Sequence, residues 1–152
     1  MKNTPVKNSG FHFPPRGTDD KKPTPSELYK VLIKDLHYTD VCLDPKKFDA
    51  LLQPWPNHSY CNPPFSIKRM FVARAVYNNV EGKEVLLYLP FDPGAGWFQM
   101  LYGRNPLIIF FMFARRQGRY PHMLVNLASY PSPRLVFVKS YYEVKNLLPS
   151  NP

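Results

Sequence analysis

Three stretches of this chain are apolar almost without interruption: 84–89 (EVLLYL), 107–113 (LIIFFMF) and 122–128 (HMLVNLA). A strand with one solvated face alternates polar and apolar side chains. A run without alternation belongs to a strand covered on both faces. Covering both faces takes helices above and below one sheet, so these runs predict a doubly wound α/β architecture. None of the three approaches the roughly 20 apolar residues that span a bilayer, and no membrane partner is expected.

The remaining elements fall between these runs. Ser26 is placed to cap a helix, with Glu27 in its first turn and Leu28, Val31, Leu32 and Leu36 at helical spacing. Residues 39–43 (TDVCL) predict a first strand, 44–57 a turn of helix and a Pro-broken loop, and 58–62 a second strand ending at Pro63-Pro64. Ser66 is placed to cap a helix through Ile67, Met70, Phe71, Arg74 and Ala75, ending near Asn78, Asn79 and Gly82. Trp97 lies on a short helix after Gly94 and Gly96. The gap between the last two apolar runs is short and holds Gly118 and Pro121, which predicts antiparallel neighbours. Residues 135–142 predict an edge strand. The expected fold is a mostly parallel sheet with a terminal antiparallel strand.

At 152 residues the chain is the size of one domain. Five of its 18 prolines crowd the first 25 residues among Lys, Asn, Gly and Asp, so 1–22 read as a flexible basic arm, 23–145 as the folded domain and 146–152 as a frayed tail. Two cysteines are too few for a disulfide scaffold, and buried thiols on strands behave as small hydrophobes. No basic-then-apolar leader opens the chain, and a cytoplasmic setting is expected. Twenty Lys and Arg against 11 Asp and Glu leave a net charge of +9, which favours a polyanionic partner such as nucleic acid.

The segment richest in chemistry is Tyr60-Cys61-Asn62-Pro63-Pro64-Phe65-Ser66, between a predicted strand and a predicted helix. Ligands of open α/β sheets bind beyond the carboxyl ends of strands. The exocyclic amine of a nucleobase is a poor nucleophile because its lone pair is delocalised into the ring. A carboxamide oxygen and a fixed backbone carbonyl can each accept one of its N–H bonds, which favours rehybridisation and attack on an electrophilic methyl. The prolines have fixed φ and no N–H, which holds the Pro63 carbonyl in place. Phe65 can stack on a base taken out of the duplex.

Asn62-Pro63-Pro64-Phe65 resembles the [DNS]-PP-[YFW] motif of S-adenosylmethionine-dependent amino-methyltransferases. More narrowly, the chain resembles the small phage-type Dam-like DNA adenine methyltransferases. Thr24-Pro25, Asp40-Val41-Cys42, the Cys61–Ser66 loop, 86–90, Trp97 and 110–115 follow that family's order. The resemblance covers 24 to about 128 and implies a Rossmann-like methyltransferase sheet and S-adenosylmethionine as cofactor. It implies that Asn62, Pro63, Pro64 and Phe65 hold the target adenine, with the turn at Pro90, Phe91 and Asp92 edging the base pocket. It sets Thr24, Pro25, Asp40, Cys42 and Asp44 around the cofactor.

Larger methyltransferases of this fold place a glycine-rich loop after the first strand; here Leu43-Asp44-Pro45 and two lysines follow. The interval from Asp40 to Asn62 cannot house two further strand–helix units of about 30 residues each, so the sheet is expected in a reduced form with edge strands missing.

Arg115, Arg116 and Arg119 cluster about Gly118 in the turn between the runs 107–113 and 122–128 and, with Lys68 and Arg69, are the candidate phosphate contacts. Cys42, His58 and Cys61 lack paired metal-ligand spacing, and no metal is expected. Trp55 reads as core, and His37 and His122 have no evident catalytic partner. The leading expectation is a DNA adenine methyltransferase, with DNA favoured over RNA. The alternatives are a catalytically inactive nucleic-acid-binding domain of the same ancestry and a viral interaction protein.

Overall fold

The computed structural model describes residues 23–112 and 121–149. These form a mixed α/β fold around one six-stranded, mostly parallel sheet. The strands are β1 (Thr39–Asp40), β2 (Ser59–Cys61), β3 (Val85–Pro90), β4 (Leu107–Phe111), β5 (His122–Leu127) and β6 (Arg134–Val138). Their order across the sheet is β1-β2-β3-β5-β4-β6. β1, β2 and β3 pair in parallel, as do β4 and β6. β5 is antiparallel to both β3 and β4.

The antiparallel strand is therefore internal and not terminal, and the last strand in the chain runs with the parallel set. Burial explains the order. β5 is buried from Met123 to Leu127 and needs strands on both sides, whereas β6 is mostly exposed and can stand at an edge. β1 shrinks to two residues, because Val41 and Cys42 already turn away. The stretch 44–57 forms turns without a helix, held by Phe48 and Leu51 against the core.

Each face of the sheet carries its own apolar layer. On one, α2 (Lys68–Val80) and α3 (Gly96–Tyr102) pack Phe71, Val72, Ala75, Trp97 and Leu101 onto Val85, Leu87, Leu89, Ile108, Met123 and Val125. On the other, α1 (Ser26–Lys30), the π-helical turn that prolongs it (Val31–Asp35) and a 3-10 helix (Tyr141–Asn146) cover Tyr60, Leu86, Tyr88, Leu107, Ile109, Leu124 and Val138. Alternate residues of β3 serve opposite layers, as the strand period of two requires. Trp55 is core, its indole N–H donating to the Ala50 carbonyl at 2.7 Å.

Neither serine acts as the expected helix cap. Pro25 occupies the N-cap position of α1, and Ser66 lies inside a 3-10 turn (Phe65–Ile67) that leads into α2. The expected frayed tail also begins too early, since Leu148 is buried in the second layer. The expected arm, 1–22, and residues 150–152 lie outside the described residues. Among the described residues no helix is long and apolar enough to cross a membrane.

A polar cluster is buried at the amino ends of β2 and β3. Glu84 accepts hydrogen bonds from the Tyr38 hydroxyl and from Asn126 Nδ2 (2.7 Å), and its other oxygen meets His58 Nδ1. His58 Nε2 lies 2.8 Å from the Leu36 carbonyl, which can only accept, so that nitrogen carries a proton. The Tyr38 ring stacks on the imidazole at 3.7 Å, and Tyr130 closes the group by donating to Asn126 Oδ1 at 2.6 Å. Burial, reinforced by the Glu84 charge, holds the Tyr38 hydroxyl far above its ordinary range. The cluster ties β2, β3 and β5 to the segment after α1, at the end of the sheet away from Asn62.

Candidate functional site at the carboxyl ends of β1 and β2

Asn62 is the first residue after β2, and its side chain is almost wholly buried. Its Nδ2 donates to Thr24 Oγ1 at 3.2 Å, which turns the carboxamide with its nitrogen toward Thr24 and its oxygen away. Thr24 Oγ1 in turn shares a hydrogen bond with the Tyr60 hydroxyl. Tyr60 is fully buried on β2, and burial keeps its hydroxyl protonated far above the usual range. Thr24, just before α1, and Asn62, just after β2, thus meet across 38 residues of chain.

Asp40 lies beside them at the end of β1, in register with Tyr60. One carboxylate oxygen accepts from the Tyr29 hydroxyl at 3.0 Å and the other from the Cys42 backbone N–H at 3.0 Å. Burial and then the adjacent Asp40 charge push the Tyr29 hydroxyl up to about 12. Tyr29 packs edge-on against Tyr60, with ring centroids 6.3 Å apart. The site is therefore a contiguous polar chain, Asp40–Tyr29 beside Tyr60–Thr24–Asn62.

Pro63 is buried, while Pro64 and Phe65 are half-buried. The Phe65 ring faces His122, with centroids 5.5 Å apart, and His122 stacks on Tyr88 at 4.9 Å. His122 and Tyr88 are members of the site that sequence reasoning missed. Phe65 and His122 are far apart in the chain, and only the β3–β5 register, which opposes Pro90 to His122, brings them together. Tyr29 had a signal: its N–H bonds the Pro25 carbonyl at 2.9 Å, one helical turn on from Thr24-Pro25.

Other expected members lie elsewhere. Asp44 Oδ1 caps its own turn by accepting the Lys46 N–H at 3.0 Å. The Phe91 ring packs on Phe98 and Phe110 in the opposite layer. Lys68 folds back to donate to the Phe65 carbonyl at 3.0 Å and sits 5.9 Å over the Trp97 ring, while Arg69 is exposed. Arg115, Arg116 and Arg119 lie outside the described residues.

The expectation of two inert thiols is overturned: Cys42 and Cys61 form a disulfide, with Cα atoms 5.3 Å apart. Parallel pairing of β1 with β2 brings the ends of both strands side by side, within the usual bridging range. The bond fastens the turn after Asp40 to the residue before Asn62. It closes a loop of 19 residues, for which chain entropy gives about 3 kcal/mol of stabilisation. Reduction should therefore lower the urea-unfolding free energy by about that amount. Thiol titration of denatured, unreduced protein should find no reactive cysteine; two reactive thiols would show the pair unbonded.

No protein-family model, no curated protein and no solved structure matches this chain.

Proposed function

We propose that the protein is an S-adenosylmethionine-dependent methyltransferase acting on the exocyclic amine of adenine in DNA, built on a reduced Rossmann-like sheet without the usual outer strands. The observation that carries this reading is the Thr24–Asn62 hydrogen bond. Thr24-Pro25 and Asn62-Pro63-Pro64-Phe65 are separate elements of the methyltransferase resemblance. Their side chains meet at the carboxyl edge of the sheet, where open α/β folds bind ligands.

The chain's own groups suit the task. Asn62 Oδ1 and the Pro63 carbonyl would accept the two N–H bonds of the target amine, while Phe65 stacks on the ring. The Thr24 hydroxyl, itself bonded to the Tyr60 hydroxyl, orients the carboxamide, and because Asn62 Oδ1 is buried the loop must shift for a base to reach it. S-adenosylmethionine, when bound, supplies the electrophilic methyl. Asp40 fits its polar groups, because each carboxylate oxygen accepts one bond and keeps a further lone pair. Asp40 and Thr24 would hold the cofactor through side chains, since no glycine follows β1 to let the backbone approach closely.

A catalytically inactive nucleic-acid-binding domain is the second reading. It is favoured by the turn after β1, which lacks glycine and is cross-linked to β2. Thermal unfolding separates the two. A ligand at 100 times its dissociation constant stabilises the native state by about 2.7 kcal/mol, so millimolar S-adenosylmethionine should raise the melting temperature by several degrees. No shift at that concentration favours the inactive domain.

A further inference from the structure

The sheet carries an uncovered apolar surface at its β6 edge, on the side of α2 and α3. Residues paired across β4 and β6 share a face, and the register sets Ile108 beside Leu135 and Phe110 beside Phe137. Ile108 and Phe110 belong to the α2–α3 layer, so Leu135 and Phe137 point to that same side. Neither is covered: Leu135 is 52% exposed and Phe137 63%, and Met112 just beyond β4 is 66% exposed. The Phe110 and Phe137 rings stack with centroids 5.3 Å apart and planes 24° from parallel. A row of rings continues inward through Phe91 and Phe98 to the exposed Tyr102.

We infer that this aromatic face is a single-stranded nucleic-acid platform, on which an unpaired base stacks against Phe137. Two observations select that occupant. Phe137 is the exposed ring of a stacked aromatic pair at the sheet edge, and base–aromatic stacking is tolerant of sequence. The strands carry no negative charge there: β4 and β6 contain no acidic residue, exposed Lys139 directly follows β6, and the chain carries +9 overall. That charge attracts a phosphate backbone and opposes a second copy of the same face. β6 lies four strand spacings from β2, about 19 Å, and the platform is on the opposite face of the sheet from Tyr60. The inference therefore does not rest on methyl transfer.

The test is fluorescence anisotropy of the full-length protein with a short fluorescein-labelled oligothymidylate, which has no adenine and no exocyclic amine to engage Asn62. Phe137→Ala should weaken binding roughly tenfold, and Phe137→Trp should retain it. Affinity should fall steeply with added salt. Asn62→Ala should leave this binding unchanged, so failure of the methyltransferase reading and failure of the platform are separately visible. Phe137 is largely exposed, so its truncation should leave the melting temperature nearly unchanged. Wild-type affinity in Phe137→Ala overturns the inference. So does a wild-type dimer in light scattering that Phe137→Ala converts to monomer without any oligonucleotide binding, which would make the face an interface between copies.

Discussion

Asn62→Ala should reduce methyl transfer to an adenine-containing oligonucleotide by two to three orders of magnitude, roughly the effect of deleting one preorganised polar group at a reacting centre. The substitution removes the acceptor for the amine and leaves Thr24 and Tyr60 bonded only to each other. It should spare the fold, because each intramolecular hydrogen bond lost contributes only about 0.5–1.5 kcal/mol net. The readout is transfer of a labelled methyl group, run beside thermal unfolding with and without S-adenosylmethionine. Full turnover in Asn62→Ala would show that this loop does not hold the reacting base. Thr24→Ala should give a smaller loss, since it acts by orienting Asn62.

Glu84→Ala should have the largest effect on stability. Glu84 and His58 are 14% and 6% exposed at the side chain, and removing one partner of a buried pair typically costs about 3–5 kcal/mol. Here the loss is compounded, because Tyr38, His58 and Asn126 all direct polar atoms at the missing carboxylate. Against a usual total of about 5–15 kcal/mol, such a change removes a large share of the fold's stability and should lower the melting temperature by about 10 °C or more. Glu84→Gln should be milder, because its amide oxygen still accepts from Tyr38 while its NH2 group meets His58 less well. Urea unfolding measures both. A Glu84→Ala protein as stable as the wild type would mean that the cluster is solvated in solution. The cluster lies at the opposite end of the sheet from Asn62, so the folded fraction of either variant should keep its specific methyl-transfer activity.

The apolar runs 84–89, 107–113 and 122–128 were sufficient to place three buried strands, because absence of alternation has one economical cause in a sheet covered on both faces. Helical spacing and local turn chemistry located α1, α2 and α3 to within a few residues. The motif at Asn62 was legible for a similar reason: two prolines between a strand and a helix act locally, through fixed φ and missing N–H groups.

What the linear chain could not show depends on which strands become neighbours. β5 inserts between β3 and β4 because it is apolar on both sides and an edge position would expose it. That insertion opposes Pro90 to His122 and so brings His122 and Tyr88 to Phe65. The β1–β2 register makes a disulfide of two cysteines that 19 residues separate. The β2–β3 and β3–β5 registers gather His58, Glu84 and Asn126 into one buried cluster, although nothing in their spacing relates them. The exposed Phe137 face arises in the same way, since β6 joins β4 at an edge where, among the described residues, no helix covers the α2–α3 side. Local chemistry written in consecutive residues determined the elements and the Asn62 loop. Pairing between distant strands, driven by burial of whole faces, decided which side chains share a site.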